Sequence, residues 1–449
     1  MRALLRSLLL VGCLCAAVPS PAQIGLPRLP TGDLPLPLPP LPTADLPVPQ
    51  PSQVVREANE EVQPVLSSVR ARARELLARY PGQVERDPRG APIVRAVILA
   101  LSPDPQALQQ AQARGFVIQS DQTLQPLGDR IVTLLVPPGV TTRRALRDLR
   151  AADPSGSYDF DHLFVTMQAV AAVPARAAGA PASAASLPPA VEIRVGLIDG
   201  GVDADHPVFA TRRPQLSGCD GRPAASEHGT AVASLFVGRA SEFRGAAPGA
   251  ELMAVDVYCG GAEPGGRVRD IVVGLAALMA ANVRVINMSV VGPDNAVLAA
   301  VIRKLIARSI VIVAASGNDG PHAGPLYPAA YPGVVAVTAV DAHAKVLMEA
   351  SGGDYVRFAA PGADMLAASV GGKYAAVRGT SYASPLVAGL IARLLARDDS
   401  AGVEQVVQQL AATAENSVDR KRGRRHDYSL VGMELRTDPA QFDGRVAPD

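Results

Sequence analysis

Four side chains in this sequence have types and surroundings suited to chemistry at a carbonyl carbon. Ser381 stands in RGTSYASPLVAGL (378–390), where a Gly-Thr-Ser turn runs into a proline and an apolar run of helical period. A hydroxyl at the mouth of a helix lies beside unpaired backbone N–H groups that favour negative charge, which makes Ser381 a candidate nucleophile. The same position suits a plain N-cap, so the reading depends on partners elsewhere in the chain. His228, in EHGTAVASLFVG, could serve as the base, and Asp199, closing the apolar run 193–198, could orient its imidazole. Asn318, in VIVAASGNDG, could offer its amide to an oxyanion. Singly, each is more often structural. Together they describe nucleophilic acyl transfer: a base takes the serine proton, a carboxylate fixes the base, and an amide stabilises the charge that develops.

These groups work only if separate elements deliver them to one place. The sequence predicts strands at 194–198, 251–257, 284–288, 310–314 and 334–339, and helices from His228 onward and at 268–282, 296–308, 381–396 and 403–414. Apolar strands joined through helices imply a parallel sheet covered on both faces, with the site at the C-terminal edge of its strands. Asp199 and Asn318 fall at strand ends, and His228 and Ser381 at helix starts.

From about residue 191 to 395 the chain resembles the subtilisin-like serine peptidases. The match runs through Ile198, Asp199, Gly200, Gly201, Val202 and Asp203; His228, Gly229, Thr230, Val232 and Ala233; Ala315, Gly317 and Asn318; and Gly379, Thr380, Ser381, Ala383, Ser384 and Pro385. The chain order Asp, His, Ser is also that of subtilisin. The resemblance implies an α/β fold with a mostly parallel sheet, a Ser-His-Asp triad of Ser381, His228 and Asp199, an oxyanion hole using the Asn318 amide, and peptide-bond hydrolysis of a polypeptide substrate with no cofactor required. It also implies that Ser289, Val290, Val291 and Gly292 pair with an extended substrate, while Ala315, Ser316 and Gly317 form the opposite wall. Val291 stands where relatives usually have Gly, from which a narrowed pocket and a preference for small residues before the cut bond are expected. Ala231, Ser234, Tyr382 and Leu386 replace the usual His, Gly, Met and His of the flanking motifs, and none of them removes a catalytic group. The loop 238–248 lacks the Asn-rich segment that binds calcium in many relatives, and its one carboxylate is Glu242, so a structural calcium is not supported there. Asp354 and Asp364 keep calcium open elsewhere.

Upstream, 91–167 reads as strand, helix, two strands, helix, strand, an order that suits a split-βαβ, ferredoxin-like module. Position and pattern are similar to the inhibitory propeptides of the same family, which implies an intramolecular inhibitor. A free-standing binding module is the alternative. Segment 54–90 has helical character, and the Ala/Pro-rich 168–190 reads as a linker before a catalytic domain at 191–449.

At 449 residues the chain exceeds one ordinary domain, and a net charge of +1 gives no basis for a nucleic-acid partner. Arg2, Arg6, an apolar run and small residues ending at Ala22 read as a signal peptide over 1–22, implying export to the periplasm or the medium. The alternative is a lipid anchor at Cys13 in the box Leu10, Val11, Gly12, Cys13, disfavoured by the short run before it. No later stretch is apolar enough to span a bilayer. The Pro/Leu-rich 23–53 reads as an extended spacer, and the basic 419–428 as a solvated loop. With the signal removed, two of the four cysteines remain, Cys219 and Cys259, either as a disulfide or as separately buried thiols. The competing function is a catalytically silent scaffold of the same fold that binds or adheres to a partner.

Overall fold

The structure, a computed structural model, describes residues 69–166, 176–177, 190–241, 243–261, 265–414 and 428–439. The expected signal peptide, the Cys13 box, the Pro-rich spacer, Glu242, most of the Ala/Pro-rich linker and nearly all of the basic loop lie outside these residues.

The chain first builds a small α+β unit. It consists of α1 (Val69–Arg79), β1 (Val84–Arg86), β2 (Pro92–Leu101), α2 (Pro105–Ala113), β3 (Val117–Leu124), β4 (Asp129–Leu135), α3 (Thr142–Ala152) and β5 (Ser157–Phe164). Local chemistry starts its helices. Asp104 accepts the N–H groups of Gln106 and Ala107 ahead of Pro105, and Thr141 caps α3 through the Arg144 N–H. The strands pair antiparallel in the order β5, β2, β4, β3, which is the split-βαβ arrangement that the element order predicts. One face of this sheet (Ile98, Ala100, Val132, Leu134) closes a core with α2 and α3.

After the two-residue β6 (Arg176–Ala177) comes the larger unit. Its elements are β7 (Arg194–Asp199), β8 (Gln215–Gly218), α4 (Glu227–Val237), β9 (Glu251–Asp256), β10 (Gly266–Arg267), α5 (Val268–Ala280), β11 (Val285–Met288), α6 (Ala296–Ile306) and β12 (Val311–Ala315). There follow β13 (Val335–Val340), β14 (Val356–Pro361), β15 (Met365–Ser369), β16 (Lys373–Val377), α7 (Thr380–Leu395), α8 (Val403–Ala412) and β17 (Ser429–Leu430). Eight strands form one parallel sheet in the order β17, β14, β13, β12, β11, β7, β9, β8. Strand alternation explains its two-sided cover. Val195, Leu197, Val311 and Val313 join the core with α4 and α7, whereas Ile198, Ile286, Ile312 and Ala314 join the core with α5 and α6. Each large apolar side chain so buried contributes about 1.5–3 kcal/mol relative to exposure.

The second face of the small sheet, through Leu99, Leu101 and Ile131, belongs to the α5 and α6 core, so the two units share a hydrophobic layer. Polar contacts register them. The Asp159 carboxylate accepts the Ala296 N–H at the start of α6 at 2.7 Å, and Asp161 accepts the Arg269 N–H at the start of α5 at 3.1 Å. Lys304 of α6 reaches Asp129 of the small unit at 2.6 Å.

Candidate active site

Asp199 closes β7, and its Oδ1 accepts the Gly200 N–H at 2.6 Å and faces Nδ1 of His228 at 2.7 Å. An imidazole nitrogen facing a carboxylate donates, which leaves Nε2 as the basic nitrogen. The imidazole is held there by the start of α4. Ser226 caps the helix, accepting the Gly229 N–H and donating to the Gly201 carbonyl, both at 3.0 Å. Gly229 must be glycine because a Cβ would come within 2.2 Å of the Gly200 carbonyl oxygen.

Ser381 is the second residue of α7. Six positions into that helix, Pro385 has no N–H to give the Ser381 carbonyl. The Ser289 hydroxyl supplies that bond instead at 3.0 Å, and Asn287 donates to the Ser289 hydroxyl at 2.9 Å. The proline thus ties the Ser381 backbone to the end of β11. Asn318 follows β12, and its side-chain carbonyl accepts both the Thr380 N–H at 3.1 Å and the Thr380 hydroxyl at 3.0 Å. That grip fixes the amide and leaves Nδ2 buried without a partner. Gly379, at φ 137°, sits where a Cβ would lie 2.9 Å from that Nδ2.

Nε2 of His228 is likewise buried without a partner, and no hydrogen bond joins it to Ser381. Catalytic hydrogen bonds are often long in an unliganded site and tighten in the complex. The Tyr382 ring, next in sequence to Ser381, lies 5.4 Å from the imidazole. Burial, and then the charges of Asp199 and Glu227, push its phenol well up, so it stays neutral.

Residues 163–165 enter this groove as a strand. Leu163 and Phe164 pair with Arg267 and Gly266 of β10, and on the other side Val165 exchanges backbone hydrogen bonds with Val291 at 2.9 and 3.0 Å. The Phe164 ring occupies the space above Gly292, where a Cβ would come within 2.6 Å of it. Of the residues expected to meet a substrate, Val291 is the one whose backbone pairs with this inserted segment. Gly292 pairs with Tyr327, Ser316 donates its hydroxyl to Ser351, and Gly317 exchanges with Thr380 and Ser351, so these brace the wall. Val290 and Ala315 are core side chains.

The side chain of Val291 packs with Val165, Val69 and Leu76. In a hydrogen-bonded antiparallel pair the two side chains stand together on one face. Its branched Cβ therefore bears on the residue paired with it. Ala231 and Leu386 are core, and Ser234 bridges α4 to β15 by donating to Ala231 and accepting the Ala368 N–H. Sequence reasoning missed the insertion of Phe164 and Val165 and the approach of α1, although the apolar alternation running to Val165 was a visible signal for the first.

Cys219 and Cys259 form a disulfide across 40 residues, beside the groove residues Gly260 and Gly261. Among the described residues no three His, Cys, Asp or Glu side chains gather as metal ligands, and Asp364 accepts the Ala342 N–H. No helix among them is long and apolar enough to cross a membrane.

Similarity to known proteins follows the same residues. Subtilisin E of Bacillus subtilis (strain 168) is 33% identical over 235 residues, which cover 49% of this chain and 60% of that protein. Subtilisin of Bacillus pumilus is also 33% identical over 235 residues, covering 83% of its length. The chain thus spans about three fifths of several of the curated relatives it matches. Among solved structures, fervidolysin from Fervidobacterium pennivorans, a keratinolytic enzyme related to subtilisin, has the same fold at TM-score 0.61 and 21% identity, over 77% of this chain and 61% of that one. The Subtilase family model matches residues 191–432, a stretch that opens just ahead of the strand ending in Asp199 and runs past the whole of α7. With more than half of its length inside that match, the chain belongs to the subtilase family.

Proposed function

We propose that the protein is an exported serine endopeptidase, made as a zymogen, that hydrolyses peptide bonds through an acyl-enzyme on Ser381. His228 Nε2 takes the Ser381 proton as the hydroxyl oxygen attacks the carbonyl carbon, and later returns it to the leaving amine. Asp199 holds the imidazole in the tautomer that leaves Nε2 free and stabilises its cationic form. Asn318 Nδ2 and the N–H of Ser381 at the helix start receive the oxyanion. The single observation that carries this reading is the pattern of unsatisfied atoms. Asp199 Oδ1 holds Nδ1 of His228 at 2.7 Å, and the Nε2 of His228 and the Nδ2 of Asn318, the atoms the reaction needs, are left without partners, as are Asp199 Oδ2, Asn287 Oδ1 and the Tyr382 hydroxyl nearby.

Residues 91–167 act in this reading as an intramolecular inhibitor, with 1–22 as the export signal, 23–53 as spacer, 168–190 as the segment opened on maturation and 191–449 as the catalytic domain. Support comes from the pairing of Val165 with Val291 and of Phe164 with β10, which fills the groove a substrate strand would need. A serine-directed phosphonate, applied after the first 190 residues are removed by limited proteolysis, is expected to label the wild-type protein and not Ser381→Ala. Absence of label on the wild type would instead favour a silent binding scaffold.

A further inference from the structure

Helix α1, the first element of the small unit, precedes its ferredoxin-like strands and meets the groove. Its apolar stripe, Val69, Ala73 and Leu76 at i, i+4 and i+7, faces inward, and Val69 and Leu76 pack on Val165 and Val291. The N–H of Val69, the first described residue of the helix, donates to Asp319 at 2.6 Å, which ties this part of α1 to the residue beside Asn318. Arg72 and Leu76 close the outer side of a cavity of about 280 Å³ whose inner side holds His228, Ser226 and Gly200. The described part of α1 carries four arginines and buries only Ala73 fully, so its seat depends on the contacts of Val69 and Leu76. Val291 fits the same account. A glycine there would leave Val69 and Leu76 no side chain to meet on the groove wall.

We propose that α1 is an inhibitory strap, which lies across the pairing of Val165 with Val291 and holds the inserted segment in the groove until the strap itself leaves. The inserted strand alone would expose the outer face of that pair to water and to fraying. With α1 in place, release requires the loss of the Val69–Asp319 bond and of the Leu76 contact together. The turn at 80–83 is the hinge, because beyond it β1 is paired to β2 and stays with the small unit. This rests on the reading of the groove as the substrate site.

The test uses the full-length chain, freshly folded, and the rate at which a serine-directed phosphonate labels it. Leu76→Asp is expected to label at least about tenfold faster than wild type, since it places a charge where an apolar contact was. The milder Leu76→Ala should move the same way by about threefold. Hydrogen exchange should show the amides of Val165 and Val291 losing protection in both variants while β2 and β4 keep theirs. Val165→Asp serves as the control for release of the inserted segment itself. Fast labelling of Val165→Asp with wild-type labelling and protection in Leu76→Asp would overturn the strap. Should no form label even after proteolytic removal of the first 190 residues, the peptidase reading falls by itself. The exchange comparison still decides the strap.

Discussion

Two histidines of this chain are put to opposite uses by the number of nitrogens their surroundings occupy. His228 is bonded at one nitrogen and free at the other, as a proton carrier must be. His206 is buried with both engaged. Its Nε2 faces the Lys373 carbonyl at 2.8 Å, and its Nδ1 accepts the Val208 N–H at 3.1 Å. A proton added at Nδ1 would expel the Val208 bond. Burial holds the His206 pKa below the usual value, with the Lys373 carbonyl and Asp203 pulling it partly back. The unfolded chain therefore binds this proton near pH 6.5 while the folded chain still refuses it. Stability from His206 is fully present above that pH and is lost as pH falls toward the lowered folded value. The melting temperature of wild type should fall as pH drops below about 6.5, and that of His206→Gln, which cannot titrate, should fall less. Parallel curves would remove His206 from the account.

Among the elements, the disulfide joins the ends of β8 and β9, two neighbouring strands that both lead to the groove. Closing 40 residues removes chain entropy worth about 4 kcal/mol from the unfolded state. Cys219→Ser with Cys259→Ser should lower the unfolding free energy by an amount of that order, measured as a shift in denaturant midpoint. The cysteine count alone allowed two outcomes, because pairing is decided by the approach of β8 to β9, and β8 is a short strand with exposed residues and no apolar run to announce it. The strands β7, β9, β11, β12 and β13 were legible because burial on both faces makes them continuous apolar runs. The proposed catalytic residues were legible for a related reason, since strand ends and helix starts are marked by Gly, Thr and Ser. The two-residue β10 and the docking of α1 were not. Gly266 and Arg267 become a strand only by pairing with β5, and the arginine-rich α1 becomes a lid only by meeting Val291.

For the molecule as a whole, the small unit completes the large one as well as covering it. Asp159 and Asp161 lie two residues apart on β5, and each presents a carboxylate to the start of a different helix, α6 and α5. A carboxylate there satisfies an orphan N–H and opposes the positive end of the helix dipole. The two helices also carry the apolar face shared with Leu99, Leu101 and Ile131, so their docking and capping are one event. Asp161 is fully buried, and burial pushes its carboxyl up while Arg267, 2.8 Å away, pulls it down. Measured on the full chain in a Ser381→Ala background, which keeps both units on one polypeptide, Asp159→Ala should cost about 1 kcal/mol as a lost cap. Asp161→Ala should cost about 3 kcal/mol or more, because it also removes the ion pair with Arg267 from a fully buried carboxylate. If both variants unfold at the wild-type denaturant midpoint, the small unit is a cover alone and α5 and α6 need nothing from it.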